Sequence, residues 1–433
     1  MADSFIDYDI IRSMRIMFLY MFPMWGNGSG AFLRELVEVL VKRGHDIAIV
    51  SPDKRKLPGV THYLVTPPQI GVFVGHPELP NEKKFEDMNG KELGEIYTSY
   101  LKTSINAVAD FNPEIIHVFH TAFLPGIART LKILFGVKFI ITTHGSDLSY
   151  LVKDRRFMGL INDANQVARF ITANSEFTKQ WYLKMFGQYL KRKSTVIFVG
   201  VNIENYKKDP KEIEYINKKY NLNDKKVVLF TGRLTKNKGV IYLVRAASSI
   251  KGTVLILGDG PERKTIEDEI KKLKLKNVLM LGYIKNDNQR LFHAFYERAD
   301  VYVCPSVWSE PLGLTILEAM AAHCPVVATK KGGVVSIIRD NISGLFIRAR
   351  NSKEIVEKVN LLLDDDDLRR KLGEEAYKTI INKFTWEKIA TRFEDIYKQF
   401  KYSTAEYTAR ARGANPNFSE FMNSINKSSY NTK

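Results

Sequence analysis

The chain has 433 residues and a formal net charge of +17; 45% of its residues are hydrophobic and 26% are charged. This composition is that of a soluble globular protein, and the length excludes a single hydrophobic core, so we expect two domains of about 200 residues each. The two cysteines, Cys304 and Cys324, lie in apolar runs. Their number and setting exclude a disulfide framework, indicate core positions and favour a reducing compartment.

The sequence carries neither a recognisable secretory signal nor an apolar run approaching 18 residues, so we expect no transmembrane helix. We therefore expect a cytoplasmic protein, with peripheral contact to the inner face of the membrane as an open alternative. Positive charge concentrates in residues 151–300, which hold 30 basic and 16 acidic residues. There, basic residues alternate with aromatic ones, which would suit an anionic membrane or a phosphorylated acceptor. An ordinary solvated basic face is the favoured interpretation. The residues concerned are Trp181, Tyr182, Lys184, Phe186, Tyr189, Lys191, Arg192 and Lys193.

The first half of the chain opens with a strand, a glycine-rich loop and a helix. A leader of residues 1–13 precedes the apolar run Ile16–Met21, which predicts a buried strand, and a helical pattern follows over Ala31–Arg43. The loop between them lacks the GxGxxG spacing of a dinucleotide fold. It is either a tight turn or a place where the backbone closely approaches a bound sugar phosphate. Its small residues are Gly28, Ser29 and Gly30.

Strands and helices alternate again after a stretch over residues 54–89 that we expect to be irregular. The predicted strand Lys138–Thr142 runs directly into the sequence THGSD. His144 and Asp147 would therefore project from the carboxyl end of a parallel strand, where open α/β sheets bind their ligands. A satisfied structural histidine is the alternative, but the position beside a glycine favours a catalytic one.

The second half repeats this logic with the strand Val227–Thr231, the loop GRLTKNKG and a helix over Val240–Ile250. Arg233 and Lys238 on this loop suit a diphosphate, because arginine can bind oxygens bidentately and lysine supplies a point charge. If this loop is considered alone, an ordinary exposed charged turn is favoured almost as much as a diphosphate site. Later strands end in GDGPE and GYI. The aspartates at 364–367 predict a solvated turn between helices rather than a metal site.

The stretch from Asp300 to Gly333 predicts a strand, a loop, a helix and a second strand. Pro311 would take the first helical position with Glu310 as the cap, and Glu318 would lie about 7 to 8 Å along the axis. Because helical side chains lean toward the N-terminus, both carboxylates can face one cleft beside the free N–H groups of the first turn. These N–H groups belong to Gly313, Leu314 and Thr315.

In this order and spacing, the motifs resemble those of the GT-B glycosyltransferases of retaining family 4. GRLTKNKG, GDGPE, LGYI and PSVWSEPLGLTILEAMAAHCPVVATKKGG are similar to the donor-binding half, and the glycine loop and THGSD to the acceptor half. The resemblance, which covers about residues 14–400, implies an α/β fold of two Rossmann-like doubly wound domains facing a central cleft. The implied parts are a leader (1–13), an N-terminal acceptor-binding domain (14–200), a C-terminal nucleotide-sugar-binding domain (201–384), a crossover helix returning to the first domain (385–400) and a tail (401–433).

The resemblance implies transfer of a hexose, with retention, from a nucleoside diphosphate sugar to a hydroxyl of a sugar, lipid or small metabolite. Arg233 and Lys238 would bind the diphosphate and offset its growing charge, while Glu310 would hold hydroxyls of the transferred sugar. Glu318 would hold the ribose, and His144 would reach the sugar and the acceptor. The remaining implied positions are Asp147 on the acceptor side and, for the donor, Gly28, Ser29, Gly30, Tyr283, Ile284, Gly313 and Leu314.

The resemblance also implies that no cofactor and no metal is needed, and the sequence shows no DxD-type loop placed to chelate a donor-bound cation. No nucleic acid partner is expected, since helix-turn-helix, zinc and RNA-sheet motifs are missing from the sequence. Three positions depart from the family pattern: Leu312 replaces a usual Phe, His323 a usual Gly, and Ser336 an acid. We expect the first two to be packing changes, and the third to alter sugar contacts near its loop.

Three other classes of protein remain as alternatives. A sugar-nucleotide epimerase of the same GT-B architecture would bind a similar donor without needing an acceptor. A nonenzymatic protein that binds through its basic middle segment is less favoured, because it has no supporting motif. A glycogen-type phosphorylase would carry a pyridoxal group on a lysine and use free phosphate.

Overall fold

The structure, a computed structural model, describes residues 13–73, 82–284 and 288–400. The strands in these ranges form two sheets, and every strand pair is parallel. The first sheet contains β1 (Arg15–Leu19), β2 (Asp46–Ser51), β3 (Val60–Leu64), β4 (Ile115–Phe119), β5 (Lys138–Thr143), β6 (Phe170–Ala173) and β7 (Ser194–Val196). The second contains β8 (Val227–Thr231), β9 (Thr253–Leu257), β10 (Val278–Gly282), β11 (Val301–Cys304), β12 (Val326–Thr329) and β13 (Leu345–Ile347).

Helices cover both sheets, as expected for parallel sheets whose strands are apolar on both faces. With the first sheet lie α1 (Gly28–Lys42), α2 (Gly90–Phe111), α3 (Leu124–Phe135), α4 (Ser146–Lys153), α5 (Met158–Val167) and α6 (Glu176–Phe186). The second half contains α7 (Pro210–Tyr220), α8 (Val240–Ala246), α9 (Arg263–Lys272), α10 (Gln289–Arg298), α11 (Leu314–Ala321), α12 (Ser352–Asp364), α13 (Asp366–Lys383) and α14 (Trp386–Lys398).

The first six strands follow the same order in both sheets, and the first sheet adds a seventh strand at its edge. The order runs β3-β2-β1-β4-β5-β6-β7 in the first and β10-β9-β8-β11-β12-β13 in the second. In each sheet the order reverses direction beside the first strand, between β1 and β4 and between β8 and β11. Such switch points open a crevice at the carboxyl ends of the strands. The fold therefore provides one candidate crevice in each half.

The last helix returns to the first sheet, as the resemblance implied. On α14, Glu394 accepts hydrogen bonds from Arg43 at 2.6 Å and pairs with His45 at 3.0 Å. Tyr397 bonds the buried His117 of β4 through its hydroxyl at 2.7 Å. The expected α/β architecture of two doubly wound sheets with a C-terminal crossover is confirmed.

Three local predictions were wrong, each for a backbone reason. The helix expected from Pro311 begins only at Leu314, because Gly313 precedes it with φ +104°, a left-handed conformation that a helix interior cannot contain. Helix α1 begins at Gly28 rather than Ala31, since Asn27 caps it by accepting from the N–H of Gly30 at 2.7 Å. Strand β3 lies inside the stretch expected to be irregular.

Two predictions about composition are confirmed. Both cysteines are buried and free. The aspartate run separates α12 from α13, where Asp365 caps α13 by accepting from the N–H of Leu368 at 2.9 Å. The predicted leader and tail lie outside the described residues, except for residue 13, and none of the described helices is long and apolar enough to cross a membrane.

The basic and aromatic residues around α6 do not form a single face. Tyr182 and Phe186 are core residues, with ring centroids 4.6 Å apart. Lys193 donates to the carbonyl oxygens of Asn165 and Ala168 and so closes the end of α5. The basic and aromatic residues that alternate in the sequence therefore lie in three different places: the core, a helix terminus and the surface.

Candidate active site

An ion pair between a half-buried lysine and a buried glutamate lies at the switch point of the second sheet. Lys238 Nζ is 2.7 Å from Glu310 Oε1, and Ser306 Oγ donates to the same oxygen at 2.5 Å. Burial alone raises the pKa of Glu310, but Lys238 outweighs this and holds the pKa below its ordinary value. Burial likewise lowers the pKa of Lys238, and the carboxylate overrides it and raises the pKa. Both groups are therefore charged at neutral pH.

Close backbone contacts fix the loops that carry this pair. The N–H of Val307 donates to the carbonyl of Asn237 at 2.8 Å, and the N–H of Gly333 to that of Glu310 at 2.7 Å. Gly239, at φ +66°, leaves no room for a Cβ beside the carbonyl oxygen of Pro305. The loops after β8, β11 and β12 thus meet at Glu310.

Glu318 lies on α11 in a different environment. Tyr296 donates its hydroxyl to Glu318 Oε2 at 2.5 Å, and Thr231, at the carboxyl end of β8, bonds the same hydroxyl at 2.6 Å. Burial raises the pKa of Glu318 to about 7. The carboxyl is therefore connected to the end of β8, two residues before Arg233. Sequence reasoning missed Tyr296 on α10, because nothing in the sequence shows that its hydroxyl reaches both Glu318 and Thr231.

The remaining expected donor positions lie along the carboxyl edge of the second sheet. Arg233 is exposed on the loop after β8. Tyr283, 47% exposed, and Ile284 follow β10 at the sheet edge, two strands from β8. Gly313 and Leu314 form the first turn of α11, whose N–H groups begin free of intrahelical partners.

In the first half, His144 lies at the end of β5 among aromatic side chains. Its ring centroid is 4.5 Å from that of His120 and 5.5 Å from that of Phe32. Burial lowers the pKa of His144 to about 3, so the imidazole is neutral at physiological pH. Its Nε2 is buried without a hydrogen-bond partner among the described residues. An unpartnered buried nitrogen in a crevice can accept or donate a hydrogen bond to a ligand.

His120 is a site residue that the sequence analysis missed. It ends β4 with φ +76°, a conformation that is rare and costly for a residue with a side chain. Its Nε2 is 2.9 Å from the hydroxyl of Ser29, which in turn lies 2.9 Å from that of Tyr20. His120 therefore links the glycine loop to His144. The positive φ and the position beside the switch point were not visible from sequence spacing.

Asp147 is fully buried beneath the THGSD turn rather than facing an acceptor. Its carboxylate accepts from the N–H groups of Gly145 at 2.8 Å and Thr121 at 2.8 Å, and from the hydroxyl of Thr143. Burial raises its pKa despite these hydrogen bonds. The structure places Asp147 where it shapes the loop that presents His144.

The two halves touch around the loop that carries Glu310 and Pro311. The hydroxyl of Ser175 donates to the carbonyl oxygen of Pro311, and a Cβ on Gly145 would collide with the Pro311 ring. Gly28 faces Leu314, whose Cδ1 would be 2.8 Å from a Cβ on that glycine. The structure thus brings together the glycine loop, the THGSD turn and the Glu310 loop. In the part of the chain described, no group of three or more His, Cys, Asp or Glu side chains could hold a metal ion.

Two family models match successive parts of this chain. The one described as Glycosyltransferase Family 4 matches residues 26–205, and the one described as Glycosyl transferases group 1 matches residues 212–379. An uncharacterized glycosyltransferase of Methanocaldococcus jannaschii is 30% identical over 328 residues, covering 74% of this chain and 84% of the relative. The chain belongs to the family 4 glycosyltransferases.

Other comparisons extend over nearly the whole chain. The N-acetyl-alpha-D-glucosaminyl L-malate synthase of Bacillus anthracis is 26% identical over 385 residues, covering 86% of this chain and 93% of the relative. Sucrose-phosphate synthase from Thermosynechococcus elongatus matches in structure with a TM-score of 0.72 at 20% identity, covering 90% and 100% of the two chains. Anabaena HepE in complex with UDP matches in structure with a TM-score of 0.68 at 18% identity, covering 89% of this chain and 100% of the HepE chain. These likenesses confirm the GT-B fold.

The geometry of this glycosyltransferase sorts its residues into two groups. Lys238 and Glu310 pair at the second switch point, where Tyr296 also connects Glu318 to the end of β8, and His144 lies beside the first with the glycine loop. Their side chains come from loops far apart in sequence, which meet because each follows the carboxyl end of a parallel strand or begins the next helix. The arrangement can hold a charged, hydroxyl-rich molecule between the two halves.

Proposed function

We propose that this glycosyltransferase moves a hexose from a nucleoside diphosphate sugar to a hydroxyl acceptor with retention of anomeric configuration. The observation that carries the proposal is the Lys238–Glu310 pair at the switch point, with Arg233 on the same loop as Lys238. Two cations suit a diphosphate, and a buried ionised carboxylate suits sugar hydroxyls. The structures of HepE with UDP and with UDP-glucose support a donor of this class.

In the proposed reaction, the bond between C1 of the hexose and the diphosphate oxygen breaks, and the acceptor oxygen bonds to C1. The acceptor's hydroxyl proton passes to the departing diphosphate. Arg233 and Lys238 offset the charge that grows on this leaving group, while Glu310 orients hydroxyls of the hexose. The neutral imidazole of His144 exchanges hydrogen bonds with the sugar or the acceptor. Neither a cofactor nor a metal ion takes part in this proposal.

The donor is tested first by thermal shift with a panel of UDP-, GDP- and ADP-sugars, because a ligand stabilises the state that it binds. Transfer is then measured for Glu310→Gln and Lys238→Met. We expect each to lose about 100-fold or more in rate, as when one charge-stabilising group is removed from an active site. Lys236→Met is the matched control, since Lys236 is exposed on the same loop.

Full activity in Glu310→Gln or Lys238→Met would contradict the site assignment. Conversion of the sugar nucleotide without any acceptor would identify an epimerase instead. Retention is tested by the anomeric configuration of the product. Peripheral membrane contact stays a prediction: Lys184, Lys191, Arg192 and Tyr189 are exposed, while Tyr182 and Phe186 are buried.

A further inference from the structure

A pocket lies where the two halves meet, next to the Glu310 loop. Its volume is about 380 Å³, within the range of small-molecule sites. One wall is α6 of the first half, and the other is the loop after β11 of the second half. The lining residues are Phe177, Gln180, Trp181, Lys184, Trp308 and Ser309.

Aromatic rings from both halves face this pocket. Phe177 and Trp181 are one helical turn apart on α6, with ring centroids 5.9 Å from each other. Both rings and that of Trp308 remain partly exposed rather than joining the core. The negative face of an aromatic ring attracts the weakly positive C–H groups on the apolar face of a pyranose. The rings therefore suit stacking against a sugar.

The pocket also carries a cation at its edge. Lys184 is exposed, and among the described residues it forms no ion pair within 4 Å. Glu176, about two helical turns from Lys184 on α6, pairs instead with Lys179 at 2.8 Å and accepts from Gln180 at 2.6 Å. An ammonium that no neighbouring acid neutralises favours an anionic group on the occupant.

The pocket adjoins the sugar end of the donor site rather than its nucleotide end. Trp308 and Ser309 directly precede Glu310, the residue that would hold the transferred sugar. Trp308 Nε1 is buried and forms no hydrogen bond of ordinary geometry among the described residues, yet it faces Glu310 closely enough to lower that residue's pKa. The expected ribose contact, Glu318, instead lies beyond Glu310 on α11. A molecule in the pocket would thus approach the transferred sugar.

We propose that this pocket is the acceptor subsite, and that it takes a saccharide bearing a phosphate or carboxylate. A pyranose ring would stack on Trp181 and face Trp308, and the anionic group would bind Lys184. The inference rests on the proposed glycosyl transfer, and it narrows the acceptor to an anionic sugar.

The test is calorimetric titration of the full chain with glucose 6-phosphate, glucuronate and glucose, with and without UDP. We expect the two anionic sugars to bind more tightly than glucose. Trp181→Ala should weaken binding of all three sugars by about tenfold, the loss of one aromatic stacking contact. Lys184→Gln should weaken the binding of the two anionic sugars, but not of glucose, by about threefold, since an exposed charge pair contributes little more. Lys191→Gln, an exposed lysine outside the pocket, is the matched control.

The outcomes separate this inference from the proposed function. Nucleotide binding and sugar transfer that persist while none of the three sugars binds would overturn the subsite alone. Equal losses in Lys184→Gln and Lys191→Gln would also overturn it, because the effect would be general surface charge. Absence of any thermal shift with nucleotides would overturn the donor assignment, whereas selective binding of glucose 6-phosphate would still support the anionic saccharide site. Binding of anionic phosphatidylglycerol vesicles in place of the sugars would assign the pocket to a lipid surface and overturn the inference.

Discussion

Glu310, which is buried, and Glu318, which is half-buried, lie eight positions apart, but their neighbours place them in different charge states. Glu310 is paired with Lys238, which holds its pKa below the ordinary value. Burial raises the pKa of Glu318 to about 7, and its neighbour is the neutral hydroxyl of Tyr296. Glu310 is thus ionised at neutral pH, whereas Glu318 is divided between its protonated and its ionised form.

Glu318 should therefore destabilise the unliganded protein at alkaline pH. Its folded pKa of about 7 exceeds the ordinary value of 4.5, so the penalty builds between these pH values and is complete above pH 7. Glu318→Gln removes the charge and should raise the stability at pH 8 by up to about 3 kcal/mol, with little gain at pH 4. Thermal unfolding midpoints at both pH values measure this, and an equal gain at both would contradict it.

His120 shows how a residue can act through its neighbours. Its Nε2 reaches Ser29 and its ring lies against His144, so it connects a donor-side loop with the residue expected to reach the acceptor. The left-handed backbone at His120 is retained although it is costly, which is typical of functional sites. We interpret His120 as a positioning residue.

At the scale of elements, glycines set how closely the loops of the cleft approach each other. Gly239 ends the turn that carries Lys238, and Gly332 and Gly333 pack on the backbone of Glu310 and Pro311. Side chains at these positions would separate the loops. The ion pair at the switch point therefore depends on glycines, which contribute no functional side chain themselves.

Gly239→Ala tests this dependence against a matched glycine. Its Cβ would overlap the carbonyl oxygen of Pro305, so we expect the loop to move and transfer to fall by at least about tenfold. Gly44→Ala has a similar φ of +84° but meets nothing within 4 Å, so it should cost only about 1 kcal/mol of backbone strain and leave transfer unchanged. Circular dichroism and transfer assays distinguish the two. Equal activity in both variants would show that loop separation is tolerated.

Element boundaries were predictable where a capping signal was clear, and not where tertiary contacts decided them. Serine is a residue type that favours helix N-caps, and Ser175 caps α6 by accepting from the N–H of Thr178. The Pro311 signal failed because the segment from Glu310 to Gly313 makes contacts with the loop after β12 and with the first half, and because Gly313 adopts a left-handed conformation. Strand β3 was missed because it is half-exposed at the edge of its sheet and lacks an apolar run.

At the scale of the whole molecule, α14 ties the end of the described chain to the first sheet. Glu394 is nearly inaccessible, and it bonds Arg43 and His45 from the region joining α1 to β2. Phe393 packs against Phe32, with centroids 6.0 Å apart. The Pro311 loop and α14 thus both link the two halves.

Breaking the α14 link should lower stability in a pH-dependent way. Burial raises the pKa of Glu394, but His45 and Arg43 outweigh it and hold the pKa below its ordinary value of 4.5. The stabilisation is therefore present above pH 4.5 and lost as the pH falls through the lowered pKa. Glu394→Gln should cost about 3 kcal/mol at pH 7, because it leaves Arg43 without its charged partner. The difference from wild type should shrink at acid pH.

Thermal unfolding of Glu394→Gln at pH 7 and pH 3.5 measures this link. Glu38→Gln is the control, since Glu38 forms an exposed pair with Lys42 that should contribute about 0.5 kcal/mol or less. If the two variants had equal midpoints at pH 7, the α14 contact would not stabilise the molecule.

The sequence by itself determined the α/β class with two doubly wound sheets, and it predicted Arg233, Lys238, Glu310, Glu318 and His144 as site residues. Strand runs, glycine turns and motif spacing are local features, so they could be found without knowing what they contact. The same features indicated the family, because its motifs occur in order along the chain.

Only the tertiary structure decided which side chains share a space. Strand order brings β1 beside β4 and β8 beside β11, and so joins Ser29 with His120 and Thr231 with Tyr296. Contact between the halves then brings Trp308 to the same pocket as Trp181. These partners are separated by 65 to 127 positions in the chain, and no periodic pattern encodes such distances. Parallel strands place their loops at one edge whatever the distance along the chain, and that property assembled the site.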